Sequence, residues 1–213
     1  MVLLVFGVSA LYFTACDNSV IGKYYHKISD YRNVLMTAET DDFILEMISG
    51  VRENPFLSDG VCSADKKEYT VFTLTPKSSL VSGDTATLIC TLDGAEHTLT
   101  LARHPFLSSY SVEVEVSPAE EEKTELNVSV NDVSVTLAPC LSSVDGEYAL
   151  TSALERLGDK IKLWNDYEIH LRLSENTITL EGGWYWYVAF IHDGETTSVL
   201  LSAETGEITA VRG

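Results

Sequence analysis

Apolar and polar residues change places along this chain with a period of two for most of its length. Residues 69–75 alternate, and residues 112–116 read Val-Glu-Val-Glu-Val, with one face for a core and one for water. Residues 33–38 and 43–49 are short apolar runs rich in β-branched or aromatic side chains. Between them and the next strand, Pro55 and Gly60 interrupt any regular element.

Two turns fix hairpin registers. Asp93 and Gly94 carry the signal of a two-residue type I′ turn. It sets Leu92 opposite Ala95, Cys90 opposite His97, Leu88 opposite Leu99 and Ala86 opposite Leu101. A turn at Asn131 and Asp132 sets Val130 against Val133, Val128 against Val135 and Leu126 against Leu137. A slip of one residue would turn the apolar set toward water, so this second register is well specified. Such strands, with no helical stripe between about 31 and 140, predict an antiparallel β-sandwich of immunoglobulin-like architecture. The Cys…Trp…Cys pattern of true immunoglobulin domains is missing, because the first tryptophan is Trp164.

Near Pro139 the period changes. Leu150, Leu154, Leu157 and Ile161, with Ala153 beside them, form one helical stripe, with Asp145 as N-cap and Gly158 at the fraying end. Strands follow at 167–173, 177–181, 184–191, 197–202 and 207–212, separated by turn residues, so a helix precedes an antiparallel meander. The expectation is a mainly β chain with a smaller α+β part. A leader at 1–16 and a stalk at 17–30 precede a β-sandwich domain at 31–140 and an α+β domain at 145–213.

Composition narrows the function. A net charge of −18 leaves no basic face for nucleic acid. The hydrophobic share of 45% opposes disorder despite that charge. The leader is a short apolar run ending in small residues, the physical form of a secretory signal. As a helix it would span about 24 Å, short of the roughly 30 Å hydrocarbon core. Its end, Phe13-Thr14-Ala15-Cys16, resembles the lipobox of bacterial lipoproteins, with Phe13 where leucine is usual. That resemblance implies a lipid on Cys16 and an extracytoplasmic protein anchored to the cell membrane by it.

Trp186-Tyr187-Val188-Ala189-Phe190 and the later Ser202-Ala203-Glu204-Thr205-Gly206-Glu207 resemble the end of a PepSY-type domain, with Ser202 where aspartate is usual. The resemblance covers about 145–213. It implies a non-catalytic extracytoplasmic module associated with binding or restraining peptidases. A turn at Asp193 and Gly194 places Trp184, Trp186, Val188 and Phe190 on one face, assigned to the helix stripe. Tyr185, Tyr187 and Ile191 lie on the other. They are the candidate partner-binding residues, because tyrosine supplies contact area at low entropy cost. The competing reading packs this face against the first domain.

Catalytic signatures are missing. The chain has no G-x-S-x-G, H-E-x-x-H, Walker or G-x-G-x-x-G motif. Cys90 opposite His97 is the one suggestive pair, yet it sits on a mostly apolar face, where a buried cysteine is inert. Asp59, Asp65 and Glu68 lack the spacing of a calcium loop. Beyond Cys16, an odd set of Cys62, Cys90 and Cys140 allows at most one disulfide. The expected function is non-catalytic binding or regulation in the cell envelope, with no cofactor, no metal and an envelope protein or peptide as partner. The alternatives are an envelope hydrolase using dispersed acids or Cys90 and His97, and a structural subunit of an envelope complex.

Overall fold

The computed structural model describes residues 19–78, 81–140, 142–175 and 183–213. The leader with Cys16 and the strand expected at 177–181 lie outside them. The chain enters through a short helix, α1 (Val20–Tyr24), and a 3-10 turn, Tyr25–Lys27. It then forms β1 (Ile28–Glu39), β2 (Phe43–Glu53), β3 (Lys66–Pro76), β4 (Thr85–Leu92), β5 (Ala95–Arg103), β6 (Tyr110–Val114), β7 (Leu126–Val130) and β8 (Val133–Pro139). After these come α2 (Gly146–Ile161), β9 (Glu168–Glu175), β10 (Trp184–His192), β11 (Glu195–Ser202) and β12 (Ile208–Arg212).

The sandwich expected for 31–140 is not formed. The strands run in the order β1-β2-β3-β6-β5-β4-β7-β8, every neighbour antiparallel, and β8 returns to β1 through Met36–Pro139 and Thr37–Ala138. The result is a closed eight-stranded antiparallel barrel, not an immunoglobulin-like sandwich. Alternation is blind to the difference, since each architecture buries one face of every strand. Here one interior takes that face, filled by Met36, Leu45, Met47, Phe72, Leu88 and Leu137 among others. Closure also removes the two pairs of open edges that a sandwich would carry. The hairpin registers are those the turns predict: Cys90 pairs with His97 and Ala86 with Leu101, while Leu126 pairs with Leu137.

β1 belongs to two arrangements at once. A bulge at Arg32/Val34 divides it, its later half closing the barrel while its first half pairs in parallel with β9. From there β10, β11 and β12 continue the sheet as an antiparallel meander. At the bulge the backbones come so close that a Cβ on Gly50 would stand 2.0 Å from the Tyr31 carbonyl oxygen, so only glycine fits.

α2 covers one side of this extension. Asp145 caps it by accepting from the Tyr148 N–H. Leu150, Ala153 and Ile161 pack with Ile169, Leu171, Trp186, Val188, Phe190 and Val199. Trp186 donates its indole N–H to the Val144 carbonyl at 2.9 Å, which fixes the approach to the helix. The helix does not fray at Gly158 but continues to Ile161, which is buried and completes the stripe. One glycine within the helix costs about 1 kcal/mol, less than burying an isoleucine returns. Among the described residues no helix is long and apolar enough to cross a membrane.

Candidate functional site

Alternate residues of β9 point away from α2. Ile169, Leu171 and Leu173 enter the helix-side core, so Glu168, His170 and Arg172 occupy the opposite face. His170 pairs with Asp30 and Arg172 with Arg32 across the parallel junction. On the other side, Tyr187 stands opposite Arg172 and Ala189 opposite His170. Directly paired residues share a face, so these side chains form one surface.

Asp30 is its centre. Only 2% exposed, Asp30 accepts from Arg172 Nε at 2.5 Å and from the Tyr69 hydroxyl at 2.8 Å. Arg32 Nε donates to the same Tyr69 hydroxyl at 3.3 Å, and its terminal nitrogen lies 3.9 Å from Asp30. Burial and the neighbouring Asp30 carboxylate push the Tyr69 phenol up, so it stays a donor. Arg52 stacks over the Tyr69 ring at 4.6 Å and pairs with Glu113.

The loop between β2 and β3 closes over one end of this surface. Glu53, itself buried, accepts from the Ser63 N–H at 2.7 Å and the Leu57 N–H at 3.4 Å, holding the loop by its two arms. Phe56 lies with its ring 5.5 Å from that of His170 and 5.7 Å from the Arg172 guanidinium. Gly60, at φ +91°, rests on the backbone of Ile191, His192 and Asp193. Beneath it Glu168 is fully buried, and neither oxygen has a hydrogen bond of normal geometry among the described residues. Burial raises its carboxyl, but His170, with Nε2 at 3.6 Å, together with the nearby Ser29 hydroxyl and Gly60 N–H, outweighs that and holds it below the usual range.

The residues singled out in the sequence fall as follows. Tyr185 and Tyr187 are half-buried on this face, whereas Ile191 is 6% exposed, under the Gly60 loop. Cys90 is buried in the barrel interior, where burial first and Glu122 second push its thiol up to about 12. Such a thiol stays protonated and presents no thiolate nucleophile beside the half-buried His97. Cys140 is likewise pushed up to about 12 by burial, and Cys62 is raised; these three, the cysteines among the described residues, are free. Among the described residues no group of three or more histidine, cysteine or acidic side chains could hold a metal ion.

Asp30, Arg32, Tyr69 and Arg172 escaped the sequence reading. Asp30 and Arg172 are 142 residues apart, and no local spacing joins them. The available signal was the alternation Glu-Ile-His-Leu-Arg-Leu at 168–173, which marks one charged and one apolar face.

A concavity of about 700 Å³ lies between α1 and α2, with Tyr24, Trp164 and Tyr167 in its wall. Two of its lysines are already paired, Lys27 with Asp166 at 3.5 Å and Lys162 with Asp159 at 3.4 Å. It therefore offers less uncompensated charge than the arginine surface. Comparison with known proteins finds no matching family model, no matching curated protein and no matching solved structure.

Proposed function

We propose that this chain is a non-catalytic binding protein of the cell envelope. A lipid on Cys16 holds it to the membrane, and it engages an envelope protein or peptide through the face of β9 and β10 turned away from α2. The observation that carries the reading is Tyr187, half-buried and directly opposite an arginine fixed by a buried carboxylate. Tyrosine and arginine dominate the energetics of protein interfaces. Here both stand on strands, which hold a binding geometry better than loops do. The lipobox-like junction and the PepSY-like C-terminal region support the location and the non-catalytic role. Restraint of a peptidase is the regulatory activity that the second resemblance adds.

Two measurements test this. Cys16→Ser is expected to move the protein from membrane to soluble fraction. Intact-mass analysis of the native protein with residues 1–15 still attached would defeat the anchoring. Tyr187→Ala is expected to abolish the cross-linked envelope partner seen with the wild type, at nearly unchanged melting temperature. Normal capture by this variant would defeat the binding face, and a large loss of stability would make the face internal.

A further inference from the structure

Two guanidiniums on the arginine surface share one carboxylate. Arg32 and Arg172 are direct neighbours in the β1–β9 pairing, and the only acid within ion-pair distance of either, among the described residues, is Asp30. Arg52 is balanced by Glu113, so the pair keeps one surplus positive charge. Its side chains are 24% and 22% exposed, well short of full hydration. Like charges set directly opposite each other on a sheet repel, and the chain as a whole carries a net charge of −18. A half-buried surplus cation in an acidic protein calls for an anion from outside.

The geometry also says how that anion is held. Each Nε is engaged inward, Arg172 with Asp30 and Arg32 with Tyr69, and this locks both guanidinium planes. Arg172 thereby keeps its terminal nitrogens as a fork, the arrangement that grips a carboxylate with two parallel hydrogen bonds, while Arg32 turns one terminal nitrogen toward Asp30 at 3.9 Å and adds its charge beside that fork. Phe56 walls the site on the loop side and Tyr187 on the β10 side. Aromatic walls suit a chain laid across the sheet better than a small free ion.

We propose that Arg32 and Arg172 form a carboxylate-binding site for an acidic peptide segment of the partner, with Tyr187 and Phe56 as its aromatic walls. The proposal rests on the partner-binding reading above and supplies its specificity.

The test uses the full chain in neutral detergent and a labelled peptide of alternating glutamate and glycine, with its glutamine counterpart, followed by fluorescence anisotropy. The glutamate peptide is expected to bind at least about tenfold more tightly, as for one charge-assisted hydrogen bond, and to weaken with salt. Arg172→Lys keeps a charge beside Asp30 but has no fork, and is expected to lose about tenfold in affinity. Arg32→Lys, which reaches Asp30 mainly through Tyr69, gives the same readout should the first variant fail to fold. Equal binding of the two peptides, or lysine variants that bind like the wild type, overturns the site. Arginine-dependent capture of phosphatidylglycerol vesicles in place of the peptide overturns the peptide assignment in favour of a lipid headgroup. If both peptides bind alike and Tyr187→Ala abolishes both, the arginine site fails while the tyrosine face stands.

Discussion

Tyr69 reaches Asp30 across an intervening strand. The two belong to β3 and β1, and the residue between them on β2 is Gly50, paired with Tyr69 on one side and Arg32 on the other. Having no side chain, Gly50 leaves the phenol a clear path to the 2.8 Å hydrogen bond on Asp30. One glycine thus serves both the close approach of the backbones and the network that orients the arginines.

Removing that hydroxyl isolates a buried charge. Tyr69→Phe deletes one of the two donors closest to Asp30 and the acceptor of Arg32 Nε. Urea denaturation is expected to show a loss of about 1.5–3 kcal/mol, the range for a hydrogen bond to a charged group. Gly50→Ala is expected to cost more, because the Tyr31 carbonyl occupies the space of its Cβ. A Tyr69→Phe protein as stable as the wild type would show that water replaces the phenol.

Acid stability is expected to depend on Glu122. Burial alone would raise this carboxyl, but N–H donors from Gly94, Ala119 and Asp93 outweigh it and hold it below the usual range. A depressed carboxyl stabilises the fold above its unfolded value, about 4.3, and that contribution disappears as pH falls through the folded value. Glu122→Gln is expected to cost about 1–3 kcal/mol at pH 7 and to flatten the fall in stability below about pH 4. Parallel pH–stability curves for the two proteins would remove Glu122 from that role.

Thiol reactivity reports on the barrel. With Cys90 and Cys140 each pushed up to about 12, alkylation of the native protein at pH 8 is expected to be slow at both and fast only after unfolding. Cys62 lies in the half-buried loop over the arginine surface, so it is expected to react first. Rapid native labelling of Cys90, read by peptide mass spectrometry, would mean that the barrel opens readily.

The entry of the chain is tied to α2. Glu147 accepts from the N–H groups of Val20 and Ile21, which places a carboxylate at the start of α1. Glu147→Ala is expected to expose residues 19–27 to limited proteolysis without altering the barrel. An unchanged cleavage pattern would show that packing alone holds this segment.

What the sequence determined by itself is local. Hairpin registers at Asp93–Gly94, Asn131–Asp132 and Asp193–Gly194 follow from turn chemistry and period-two patterning, and pairs such as Leu88–Leu99, Val128–Val135 and Val188–Val199 are the observed ones. The α2 stripe and its Asp145 cap are legible for the same reason, since each depends on neighbours within a few residues. Closure of the barrel was decided by tertiary structure. It rests on Met36 meeting Pro139 and on β6 and β7 inserting beside β3 and β4, pairings that no pattern of alternation encodes. The arginine surface belongs to the same category. A buried aspartate from the first strand, a tyrosine from the third and an arginine from the ninth meet there only because β1 bulges at Arg32/Val34 and offers its first half to β9. Turn residues and periodicity specify which face a side chain takes. The long-range pairing of strands specifies whom it meets, and the electrostatics of this surface are made of those meetings.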